Sequence, residues 1–129
     1  MNIHDQKRLN DKLHLAAGNG ILCGVKFALA AGAFVDSDDG YALRWSASDG
    51  YYEIVETLFK AGADLHILNG LAFKWCVDQI DNHSNRPITD DRIKIVKLFL
   101  REGCYDSRLI KHVDKFDEET ETLIRLMSV

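Results

Sequence analysis

Ala17-Gly18-Asn19-Gly20 closes an apolar stretch, and Ala47-Ser48-Asp49-Gly50 closes another of the same kind at an offset of 30 residues. The surroundings return in the same register: Leu13 with Leu43, Leu15 with Trp45, Val25 with Val55, Ala31-Gly32-Ala33 with Ala61-Gly62-Ala63, Val35 with Leu65. A fixed period between about 20 and 50 residues implies stacked supersecondary units rather than a core wrapped around one centre. Function in such a chain is expected on a surface shared by several units, which favours a binding module over an enzyme.

One unit, residues 40–69, shows what each copy is. Leu43, Trp45 and Ala47 alternate with Arg44, Ser46 and Ser48 before Asp49-Gly50 breaks the run. Alternation alone would permit a strand, but the small residues Ala42, Ser46, Ala47 and Ser48 suit a short helix packed closely on a neighbour. Ile54, Val55, Leu58 and Phe59 then recur at i, i+1, i+4 and i+5, the apolar stripe of a helix. Gly62 provides a left-handed helix stop, and Leu65 is expected to fold back on the helix end. Each unit therefore reads as helix, tight turn, helix, glycine stop and loop. A helical hairpin of this size must stack on the next to bury both faces.

These motifs resemble ankyrin repeats. Leu13-His14-Leu15-Ala16-Ala17 is similar to the Thr-Pro-Leu-His-x-Ala-Ala stretch of that family, and residues 53–64 are similar to its second helix and Gly-Ala-Asp stop. A third unit begins with Leu71-Ala72-Phe73-Lys74-Trp75-Cys76-Val77, but its stop, Gly103, falls 41 residues after Gly62, so eleven extra residues lie within positions 80–91. The expected architecture is an all-α, ankyrin-like solenoid. Its units cover residues 9–39, 40–69 and 70–106, with an inserted loop at 80–91, and a C-terminal cap over 107–129 holds a short helix at 107–115. The Thr-Pro pair is replaced in all three units, and the period is three short of the family's usual ~33. The finger loops are expected to be stubby. Short repeats with an aromatic first helix are similar to ankyrin arrays of large DNA viruses and phages, which would place the protein in a host cytoplasm.

The resemblance implies a partner protein lying across the first helices and loop tips. Carried over by motif, the contact positions are Ser48, Asp49, Asp78 and Gln79 at the helix ends, with Asp38, Asp39, Leu68 and Asn69 in the loops. Tyr52 and Leu68 are apolar or aromatic where a turn favours polar residues, and each is either an interface anchor or a residue folded onto its neighbour. Asn82, His83 and Arg86 are the candidate contacts of the inserted loop, which is either a binding edge or a tolerated insertion. Asp38, Asp39, Asp49, Asp78 and Asp81 either keep the surface soluble or form an acidic groove for a basic segment. Trp45 and Trp75, equivalent in consecutive units, are expected in the core, and His14 is expected to form a structural hydrogen bond.

Other functions are disfavoured by composition and spacing. With a formal net charge of −4, the chain has no general attraction for nucleic acid. No apolar run approaches the ~20 residues of a membrane span, and no leader is evident, so a cytosolic protein is expected. Three cysteines without CxxC spacing read as reduced thiols packed as small hydrophobes. His4, His14, His66, His83 and His112 are scattered, no catalytic or metal-ligand motif occurs, and Asp36-Ser37-Asp38-Asp39-Gly40 lacks the spacing of a calcium loop. No enzymatic activity, cofactor or metal is expected. A protein-binding role, masking a host regulatory or defence protein as a monomer or weak homo-oligomer, is the leading expectation. A structural or homo-oligomeric subunit joined through Tyr51-Tyr52 is the alternative.

Overall fold

The computed structural model describes residues 2–82, 89–103 and 116–127, with the side chains of 80–82 and 127 outside the description. The described residues form seven helices and no strand: α1 (Ile3–Gly18), α2 (Leu22–Ala30), α3 (Ser37–Asp49), α4 (Tyr52–Lys60), α5 (Ile67–Asn82), α6 (Asp90–Arg101) and α7 (Glu118–Met127). The all-helical expectation therefore holds. The expected helix at 107–115 and most of the insertion, 83–88, lie outside the described residues. Positions 80–82 and 90–91 of the insertion are helical rather than loop. Thr89 explains the second of these: its side chain accepts from Arg92 N, and Asp90 and Asp91 favour the positive end of the helix dipole.

Helices α1, α3 and α5 lie side by side in one row and α2, α4 and α6 in a second, each first-row helix also packing on the helix that follows it. Side chains 30 residues apart occupy equivalent places in the core. Leu13, Leu43 and Phe73 are buried together with Ala17, Ala47 and Val77, and Val25 with Val55. Ala42, Ser46 and Ala72 are buried between first-row helices, where a larger side chain would hold the helices apart.

Two turn devices set the spacing. At the end of α4, Ala63 N donates to Leu58 O at 3.0 Å and Gly62 N to Phe59 O at 3.0 Å, with Gly62 at φ 97°. This pair of bonds satisfies carbonyls that the helix leaves open, and it needs a residue that tolerates positive φ. The same pair recurs after α2, from Ala33 and Gly32. The first turns of α3 and α5 are kinked, three successive residues in each turning left-handed before the regular helix: Asp38, Asp39 and Gly40 at φ 52°, 54° and 73°, and Leu68, Asn69 and Gly70 at φ 54°, 57° and 77°. Asp36 joins consecutive loops, its carboxylate accepting from Asp64 N at 3.1 and 3.2 Å.

Arg92 ties the second row to the first, donating to Ser48 O at 2.7 Å and packing over Gly50. Beneath it, Cys76 is fully buried, and burial pushes its thiol up to about 12 although Arg92 works against the shift. Cys23 departs from the expected packing: it is exposed on α2. With Ellman's reagent at pH 8, Cys23 is therefore expected to react in the native protein, while Cys76 reacts only after denaturant is added. Rapid modification of Cys76 without unfolding would contradict this packing.

Helix α7 is held on α6 by charge. Lys97 Nζ lies 2.9 Å from Asp117 and 3.1 Å from Glu119, and Arg101 lies 3.0 Å from Glu119. Thr120, whose N–H donates to Asp117 Oδ1 at 3.0 Å, and then Lys97 hold the Asp117 carboxyl down at about 2. A carboxyl lowered by folding stabilises the native state above its unfolded pKa, near 4, and that contribution disappears as pH falls toward 2. Amide protection in α7, measured against the intrinsic exchange rate at each pH, is thus expected to fall between pH 4 and 2 more than protection in α3. Asp117→Asn is expected to remove most of the difference, and an unchanged acid response in that variant would refute the assignment.

Candidate partner-binding face

At 100° per residue, the buried positions Leu13, Ala16 and Ala17 of α1 cover one arc, and position 15 lies on the opposite side. Its equivalents are Trp45 on α3 and Trp75 on α5. Leu15 is 67% exposed and Trp45 39%, and Trp75 is half-buried. The expectation of a tryptophan core is therefore corrected. Both rings stand on the solvent side of the first row, because the helix turns position 45 away from the arc that buries Leu43, Ser46 and Ala47.

The rings form a continuous row across three helices. His14 and Tyr41 have centroids 4.6 Å apart, Tyr41 and Trp45 6.0 Å, and Trp45 and Trp75 5.3 Å in an edge-on contact. Arg44 is stacked on this row, 5.1 Å from the Trp75 centroid and 6.0 Å from that of Tyr41. Its guanidinium also donates to Asp38 O at 2.9 Å and Asp39 O at 3.0 Å, capping the left-handed turn.

His14 is buried where α1 meets that turn. Its Nε2 lies 2.8 Å from Ser37 Oγ, and its Nδ1 lies 3.6 Å from Asp38 Oδ2. The order Asp, His, Ser resembles a nucleophilic triad, but the Asp38 side chain is 75% exposed and beyond hydrogen-bond distance. A buried, hydrogen-bonded carboxylate is what orients and supports a catalytic imidazole. Here the ring serves as a strut between α1 and α3, beside a recess of about 360 Å³ that also touches Ile3, Asn10 and Phe34.

The candidate contacts expected from the sequence fall in different places. Asp49 is exposed at the end of α3, beside Trp45, and Asp78 and Gln79 are half-buried at the equivalent level of α5. Asp38 and Asp39 are exposed in the first left-handed turn, Leu68 and Asn69 in the second. Ser48 does not belong to the face: it is buried beneath Arg92. Tyr52 does not either. It sits in the second row, its hydroxyl donating to Glu56 Oε2 at 2.7 Å, a bond that raises its own pKa, while Lys94 lies 5.6 Å from its ring. Tyr51 packs against Gly20, so the tyrosine pair is a poor oligomer edge. The side chains of Asp81 and Asn82, and His83 and Arg86 altogether, lie outside the description. The acidic line is interrupted by Arg44 and Lys74, so its charge is mixed rather than uniformly negative.

Leu68 is the conformational outlier. A left-handed leucine costs roughly 1–2 kcal/mol relative to the right-handed region, whereas aspartate, asparagine and glycine tolerate the turn far better. The side chain is nevertheless 51% exposed, so burial does not offset that strain. Exposed apolar residues that the sequence reading passed over are Ile3, Leu15, Ile21, Phe27, Phe34 and Leu126. Leu15 could have been found from the helical angle alone.

Among the described residues no three His, Cys, Asp or Glu side chains gather as a metal site, and no helix is long and apolar enough to cross a membrane. Compared with known proteins, the chain matches no protein-family model, no curated protein and no solved structure.

Proposed function

We propose that the chain is an ankyrin-like array of three helical hairpins with a terminal cap, and that it works in the cytoplasm as a protein-binding module. The observation that carries this reading is the row of Tyr41, Trp45 and Trp75, with Trp45 exposed and the other two half-buried, beside the exposed Leu15 and set on three buttressed helices. Aromatic side chains on a preformed support give large contact area at little ordering cost, the property of interface anchors. Asp49, Asp78, Gln79, Asp38 and Asp39 supply a polar rim, and the exposed Leu68 extends the contact along the second turn. The action we assign is occupancy: a partner, such as a host regulatory protein, is masked where it lies across the first row.

A photoreactive p-benzoylphenylalanine placed at Leu15 tests this against the same probe at Lys60, exposed in the second row. Cross-linking to a discrete protein from position 15 and not from position 60 is the expected result. Equal labelling from both, or labelling from position 60 alone, would remove the first row as the binding face.

A further inference from the structure

We propose that the recess between the ends of α1 and α3 receives the guanidinium of an arginine on the partner, an assignment that rests on the first row being the binding face. The recess is lined by Leu15, Gly18 and Asn19 from α1 and by Tyr41, Trp45 and Asp49 from α3, with His14 at its base, and encloses about 240 Å³. That is below the roughly 300–1,000 Å³ typical of small-molecule sites and suits a single side chain.

Four features select a cation. The Tyr41 and Trp45 rings line the recess, and aromatic rings of this kind attract positive charge, as Arg44, 6.0 Å from the Tyr41 centroid, shows. Asp49 stands at the rim with an exposed carboxylate that makes no ion pair or hydrogen bond among the described residues. Both α1 and α3 end here; α1 carries no basic residue in its last turn, so the negative end of its dipole is open at the recess, whereas Arg92 on Ser48 O partly neutralises the end of α3. The chain's formal net charge of −4 acts in the same direction.

Guanidinium is favoured over ammonium by a precedent within the molecule. One unit along the same aromatic row, Arg44 already lies 5.1 Å over Trp75 while its nitrogens donate to two carbonyls. A planar group that stacks and hydrogen-bonds at its edge is what that site holds. The recess beside Trp45 repeats the ring wall with a carboxylate in place of the carbonyls. Arg44 cannot fill it, being fixed to Asp38 O and Asp39 O.

The chain contains two tryptophans, so a 15N-edited spectrum carries two indole signals, and Trp75→Phe identifies which is Trp45. The tripeptide acetyl-Gly-Arg-Gly-amide, titrated to millimolar concentration at low ionic strength, is expected to shift the Trp45 indole signal saturably. The citrulline analogue, equal in shape but uncharged, is expected to bind about threefold or more weaker, and Asp49→Asn to weaken the arginine peptide by a similar factor. Equal shifts from arginine and citrulline, an unaffected Asp49→Asn variant, a lysine peptide that binds as tightly, or a silent Trp45 would each overturn the assignment. Cross-linking from position 15 together with any of those results would leave the binding face standing and remove only the arginine.

Discussion

Phe73→Ala is expected to lower the unfolding free energy by about 3–5 kcal/mol, the range for a fully buried phenylalanine. Phe73 is 1% exposed on α5, and its ring centroid lies 5.7 Å from that of Phe99, itself fully buried on α6. No other described aromatic pair lies in the core, since the tryptophans and tyrosines face outward or are half-buried. Truncation leaves a cavity between the two rows. For a chain of this length such a loss corresponds to a melting temperature lower by roughly 10–20 °C, and against a typical total of about 5–15 kcal/mol it is a large fraction. Phe99→Leu, which keeps more of the volume, is expected to cost distinctly less. Thermal and urea unfolding followed by circular dichroism measure both. A Phe73→Ala cost below about 1 kcal/mol would mean that α5 does not pack on α6 through this pair.

The sequence made the helices legible because the same apolar positions recur at a fixed offset, and one unit could be read against the next. Leu13, Leu43 and Phe73 are buried for the reason their spacing implied. The tryptophans were misplaced because their equivalence in consecutive units was read as stacking at the repeat interface, without the angle that the helix gives them. Leu43, Trp45 and Ala47 share a side only if the segment alternates with a period of two, whereas a helix places position 45 about 200° from position 43. In the helix that the small residues implied, that angle puts Trp45 on the outer side, and with it Leu15 and Trp75. The left-handed turns were not legible. Asp38-Asp39-Gly40 is turn-prone in composition, but Leu68 argues against such a conformation, and only Asn69-Gly70 after it favours one. Ser48 was misjudged for a third reason: its burial depends on Arg92, 44 residues away, and no local pattern reports that contact. The helical start at Asp90, by contrast, was written in Thr89-Asp90-Asp91, an N-cap followed by acidic residues.

Trp45→Ala is expected to weaken binding of the protein captured through position 15 by about 30-fold or more, near the 2 kcal/mol that marks a central aromatic anchor. The same change removes contacts with Tyr41 and Trp75, 6.0 and 5.3 Å away, so it also carries a stability cost of about 1 kcal/mol. The two effects separate experimentally. Trp45→Phe keeps an aromatic face in the row and is expected to recover most of the stability and part of the affinity. Phe73→Ala should reduce stability far more, yet leave affinity nearly intact under conditions where the protein remains folded, because Phe73 never reaches the surface. Tyr52→Phe serves as the second-row control, since it removes the hydroxyl that bonds Glu56 and touches nothing on the first row. Affinity measured by isothermal calorimetry, beside a melting curve for each variant, gives the pattern. If affinity follows stability across the set, the aromatic row is packing and not a binding surface. If Trp45→Ala alone departs from that trend, the ring is exposed because a partner covers it.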